Sequence, residues 1–105
     1  MDLIKHLERQ IKFSRKAFGP GERSLGICDH ISKELEEIKK NPTDLMEWID
    51  VVILGFDGAW RAGYTEEEIA NALVTKQGIN ESRSWPNWRD AEPGKAIEHI
   101  KEEKA

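Results

Sequence analysis

The chain has 105 residues and a mass of 12.1 kDa, which is room for one domain, expected to span residues 1–105. Charged residues make up 34% and hydrophobic ones 38%, a polar but globular composition that excludes wholesale disorder. Sixteen Lys and Arg against twenty Asp and Glu leave a net charge of -4, which argues against a general nucleic-acid or membrane-surface role.

The single cysteine, Cys28, has no internal disulfide partner, so it suits a reducing compartment and a small core position. The longest apolar run, Val51–Leu54, stops at Gly55, far short of a membrane span. The N-terminal MDLIKHLERQ carries no apolar signal region. The expected location is the cytoplasm of a bacterium or a phage-infected host.

The first predicted helix runs from about Leu3 to Phe18, with Leu3, Leu7, Ile11 and Phe18 near helical spacing. Gly19-Pro20-Gly21 then breaks the chain; without a preceding strand or P-loop spacing it is a connection. The second helix is expected near Ile27–Lys40, with Ile27, Ile31, Leu35 and Ile38 as one apolar stripe. Asn41 as N-cap and Pro42 as first helical residue predict the start of a third helix, which ends near Ala62 before Gly63.

A capping box at Thr65–Glu68 predicts the fourth helix, reaching about Arg83 and turning Ile69, Leu73 and Val74 inward. The tail, about residues 90–105, is expected to be peripheral, with an aromatic loop before it and a short polar helix from about Lys95. Four helices with short connections predict an all-α, four-helix antiparallel bundle. The third helix is apolar over most of its circumference, so its core is expected to be shared between subunits of a homo-oligomer, a dimer or tetramer. Gly55 and Gly58 inside it predict close approach of another helix or a ligand.

Acids interrupt this pattern. Glu34-x-x-Glu37 lies on the second helix and Glu47-x-x-Asp50 on the third, and an i,i+3 pair projects from one side of its helix. Taken alone, the first pair reads as a solvated rim. The second pair lies on an oily helix, and no basic residue occurs between Lys40 and Arg61. Carboxylates there need partners from other helices or from a cation. A hairpin of the two helices brings the pairs toward one site, where oxygen-only ligands select Mg²⁺, or Mn²⁺, rather than zinc. Such cations commonly bind together with substrate phosphates.

The E-x-x-E … E-x-x-D signature resembles that of the all-α nucleoside triphosphate pyrophosphohydrolases, the MazG-like superfamily with its dimeric dUTPase and dCTPase relatives. A fuller resemblance covers about Phe13 to Glu98. FGPGERSLGICDHISKELEEI, DLMEWIDVVILGFDGAWRAG and ALVTKQGINESRSWPNWR are similar to the small phage and bacterial dATP/dGTP diphosphohydrolases of the MazZ-like group. Residues 38–46 form a shorter link between the acid pairs than many MazG proteins have.

The resemblance implies a cation site of Glu34, Glu37, Glu47 and Asp50, with Glu37 and Glu47 catalytic and Glu37 the preferred general base. It implies water attack on the α-phosphorus of a (deoxy)nucleoside triphosphate, giving monophosphate and pyrophosphate. Nucleotide-pool control, or modified-base synthesis in a phage, would be the role.

Lys76, Asn80 and Arg83 recur at steps of four and three, either a solvated helix end or, as the resemblance implies, a phosphate-binding helix. Trp85 and Trp88 suit either a lid over the core or stacking on a purine. The resemblance also implies that Arg23 or Ser24 approaches the substrate. Asp57 is expected to pair with Arg61, the alternative being an orienting role behind the cation ligands, and His30 is placed to bond Glu34. The rival function is a non-catalytic helical interaction module on the same scaffold; a nucleic-acid-binding protein is disfavoured by the acidic balance.

Overall fold

The computed structural model describes residues 1–101. The fold is all-α: helices α1 (Leu3–Phe18), α2 (Ser24–Lys40), α3 (Leu45–Arg61) and α4 (Glu66–Ser82), then a 3₁₀ turn at Trp88–Asp90, with no strand among the described residues. None of the helices is long and apolar enough to cross a membrane.

By its internal contacts the chain divides into two compact units, Met1–Asn71 and a second beginning at Ala72. In the first, α2 and α1 both pack along α3. The four-residue link between α2 and α3 makes them a hairpin. Gln10 and Ser14 of α1 bond, in that order, toward Ile53–Asp57 and Asp57–Arg61, so α1 and α3 run parallel. The core is Leu7, Ile11, Trp60 and Ile69, flanked by Leu3, Phe56 and Ala59. Each buried Leu or Ile of this core contributes about 1.5–3 kcal/mol by leaving water.

Local chemistry fixes the helix ends. Asp2 caps α1 by accepting from the Lys5 amide. Asp44, not Asn41, caps α3, its Oδ1 accepting from the Met46 amide at 3.0 Å. Asn41 instead closes α2, its N–H donating to the carbonyls of Glu37 and Ile38. Pro42 holds Asn41 out of the helical region, which ends α2 there, and the Asp44 cap starts the third helix later than the Asn-Pro signal predicts. Gly63 ends α3 with φ +107°, a conformation that other residues rarely adopt. The Thr65–Glu68 capping box forms in both directions, at 3.1 and 3.2 Å.

Several expectations are corrected. Cys28 is exposed. Leu35 is exposed while Glu34 is buried, because the inward stripe of α2 runs 27, 31, 34, 38. Of the α4 residues expected inward, Ile69 is buried and Leu73 and Val74 are exposed. The described part of the tail from Lys95 is not helical, and residues 102–105 lie outside the described residues. Beyond their own helix backbone and chain neighbours, Gly55 and Gly58 have no described atom within 4 Å of where a Cβ would stand, so no other helix of the described chain approaches them closely. The N-terminal half of α3 exposes Leu45, Met46, Trp48, Ile49 and Val52.

In the second unit, the C-terminal part of α4 continues into a segment whose end returns to its start. The Ile100 amide donates to the Ser84 carbonyl at 2.8 Å, and the rings of Trp85 and His99 meet edge to face.

Candidate metal centre

The α2–α3 hairpin brings acids from both helices together. One carboxylate oxygen from each of Glu34, Glu37 and Glu47 lies within 4.8 Å of the others. Glu34 is buried, Glu47 half-buried and Glu37 exposed. Asp50, one helical turn beyond Glu47, is exposed and is not one of these three; with Glu34 it lines the adjoining cavity.

Among the described residues, no lysine or arginine forms an ion pair with this cluster. Its basic neighbour is His30, whose Nε2 stands 3.3 Å from Glu34 Oε1. Glu34 Oε2 and Glu47 Oε2 are both shut from solvent with no hydrogen-bond partner. Buried polar atoms are nearly always satisfied, so orphaned oxygens on two of the three clustered carboxylates mark a place for a positive charge. The Glu47 carboxyl is raised to about 7, first by the adjacent Glu34 carboxylate, then by burial, then by Glu37. Without a cation, the cluster retains a proton near neutral pH. Three hard oxygen donors with unused lone pairs fit Mg²⁺ or Mn²⁺.

Beside the cluster, and sharing Glu34 with it, is a cavity of about 310 Å³. Its buried lining includes Asp57, whose Oδ1 accepts from Gln10 Nε2 at 2.9 Å and Trp60 Nε1 at 3.1 Å. Asp57 Oδ2 accepts from Ser14 Oγ at 3.1 Å. The expected Asp57–Arg61 ion pair is absent among the described residues. Arg61 donates instead to Ser14 Oγ and to the Gly21 carbonyl, and its guanidinium lies over the Trp60 ring. Side-chain donors from α1 satisfy Asp57 first, which leaves Arg61 to anchor the glycine-rich connection. Asp57→Ala strands three buried donors and is expected to lower stability by about 3 kcal/mol, measured by denaturant unfolding; Asp57→Asn, which keeps the shape, by about 1 kcal/mol.

Arg23, the residue before α2, places its guanidinium 5.5 Å from the ring centroid of Phe18, a residue of the cavity wall. Lys76, Asn80, Arg83 and Trp85 belong to the second unit. There Asn80 is the hub: Arg83 Nη1 donates to its Oδ1 at 3.4 Å, and Trp85 Nε1 donates to its carbonyl at 2.7 Å. Lys76 is exposed and makes no hydrogen bond or ion pair among the described residues.

Sequence reasoning missed Gln10, Phe13 and Ser14. The signal was there: residues 3, 7, 10 and 14 form one helical stripe, and the polar side chains in it, Gln10 and Ser14, are buried.

The model of a family described as dATP/dGTP pyrophosphohydrolase matches residues 6–103. The chain is also similar to the Eaa protein of Salmonella phage P22, 40% identical over 63 residues. That alignment covers 60% of this chain and 19% of the phage protein, so the chain spans about a fifth of the relative it matches. No solved structure matches it.

Proposed function

Because the chain belongs to the dATP/dGTP pyrophosphohydrolase family, we propose that it hydrolyses purine deoxynucleoside triphosphates at the α-phosphorus, with Mg²⁺ held by Glu34, Glu37, Glu47 and Asp50. The observation that carries this reading is the set of close carboxylates with no lysine or arginine partner among the described residues, two of whose buried oxygens have no hydrogen bond there. When bound, magnesium would supply charge neutralisation of the triphosphate and a lowered pKa for water; Mn²⁺ is expected to substitute.

The protein's own residues divide the remaining work. A water oxygen forms the new bond to the α-phosphorus while the bond from that phosphorus to the bridging oxygen breaks, and pyrophosphate leaves. Glu37, the exposed member of the cluster, is the side chain assigned to take the proton from water. Glu47, half-buried against Glu34, holds the charge of the site in place and is the second catalytic carboxylate. Lys76 and Arg83 are proposed for the β- and γ-phosphates, Asn80 for a phosphate, sugar or base, Trp85 for stacking on a purine and Arg23 for approach to the substrate. The role this supports is control of purine deoxynucleotide levels, including supply to modified-base synthesis in a phage.

The test is incubation with each dNTP and Mg²⁺. The expected products are monophosphate and pyrophosphate. Diphosphate and orthophosphate would overturn the bond assigned, and no hydrolysis together with no Mg²⁺-dependent rise in Tm would favour a non-catalytic helical module.

The exposed apolar half of α3 supports assembly with a second copy, in a dimer or tetramer. Val52→Asp is expected to shift the protein to monomer in light scattering, since a charge in an apolar contact is left unpaired. An unchanged mass would place the interface elsewhere.

A further inference from the structure

We infer that the cavity beside Glu34 receives the purine ring and that Asp57 reads an N–H donor on its edge. The inference rests on the proposed nucleotide chemistry and adds to it a specificity-determining residue.

Three observations meet here. At about 310 Å³ the cavity stands at the lower end of small-molecule sites, matching one heterocycle with part of a sugar rather than a whole triphosphate. Its wall includes Phe13 and Phe18, which meet edge to face with centroids 6.4 Å apart. Both rings remain substantially exposed, Phe13 at 64% and Phe18 at 49%, and so offer apolar faces to a flat ring.

The third observation concerns hydrogen-bonding sign. Both N–H groups of the Gln10 amide are committed, to the Ile53 carbonyl and to Asp57. Its oxygen pairs with His6 Nε2. The Asp57 carboxylate has about four acceptor sites. Gln10 and Trp60 take two on Oδ1, and Ser14 takes one on Oδ2. One acceptor site on Oδ2 is left. Away from the cation cluster, the buried polar lining is Gln10 and Asp57, which together offer an acceptor and no free donor; His30 and Asp50 lie on the exposed rim. An amino or imino N–H of adenine or guanine supplies what it lacks. Since Glu34 belongs to both the cavity and the acid cluster, a base held here keeps its phosphates beside the carboxylates.

The test compares dATP with the triphosphate of unsubstituted purine deoxyriboside, which lacks the 6-amino group. The wild-type protein is expected to favour dATP by about 10- to 100-fold in kcat/KM, the worth of a hydrogen bond to a charged group. Asp57→Asn preserves shape: its Oδ1 still accepts from Gln10 and Trp60, and its Nδ2 donates to Ser14 Oγ. In it the preference should collapse toward unity. A folded Asp57→Asn that discriminates as the wild type does, or a wild type that does not discriminate, overturns the inference.

Should Asp57→Asn fail to melt cooperatively, Phe13→Ala takes its place. Phe13 is exposed, and its loss is expected to raise KM for both nucleotides about tenfold with kcat preserved; an unchanged KM overturns the inference. If neither nucleotide yields pyrophosphate, the proposed function fails, and saturation-transfer NMR with deoxyadenosine alone decides this one. Ring-proton transfer in the wild type that is weaker in Phe13→Ala supports it, and no transfer overturns it.

Discussion

Glu47→Gln is expected to reduce kcat for dATP by at least about 100-fold, with the helical circular dichroism unchanged. The substitution keeps size and polarity but removes the charge that Glu47 shares with Glu34 and Glu37. Groups one step behind a metal's ligands already cost about 10- to 100-fold when removed, and Glu47 lies among the proposed ligands themselves. Asp50→Asn is expected to cost less, because Asp50 is exposed and is not one of the three clustered acids. Full activity in Glu47→Gln would remove the cluster from the mechanism, whatever the family membership.

The second large effect is on pH. The folded Glu47 carboxyl titrates at about 7 rather than at its ordinary 4.5. Between those values the cation-free folded protein holds a proton that the unfolded chain has lost, so stability falls as pH rises. The Tm of the cation-free protein is therefore expected to decline from about pH 5 to pH 7 and to level off above it. In Glu47→Gln that decline should be shallower.

A cation competes for the same oxygens. Mg²⁺ is expected to release about half a proton per site at pH 7, more at pH 6 and almost none at pH 9. Calorimetry in buffers of different ionisation enthalpy measures this directly. Proton uptake on binding would contradict the assignment.

What could be read from the sequence depended on whether a single local interaction decided the outcome. The bounds of α1, set by Asp2 and Gly19, and the capping box of α4 were legible because their signals involve neighbouring residues. The start of α3 was not, since Asn41-Pro42 and Asp44 are competing signals three residues apart and only backbone geometry chooses between them.

The acid site was half legible. Spacing places Glu34 and Glu37 on one side of a helix, yet apolarity alone points Leu35 inward. The steps 27, 31, 34, 38 put Glu34 in the packed stripe, and a carboxylate in that stripe is the stronger functional signal. Asp57 follows the same logic. Two of its three partners come from α1, 43 and 47 residues away, where no local pattern identifies them over Arg61; only Trp60 is a neighbour on its own helix. The orientation of Leu73 and Val74 depended on contacts that helical periodicity alone does not specify.

The central claim is that Glu34, Glu37 and Glu47 form a seat for a divalent ion. Titrating Mn²⁺ at pH 8 and following the electron paramagnetic resonance of the free ion tests it without substrate or turnover. Saturable loss of the free-ion signal in the wild type, and its persistence in the folded Glu34→Gln/Glu47→Gln double variant, is the predicted result. A free-ion signal undiminished by the folded wild-type protein would contradict it.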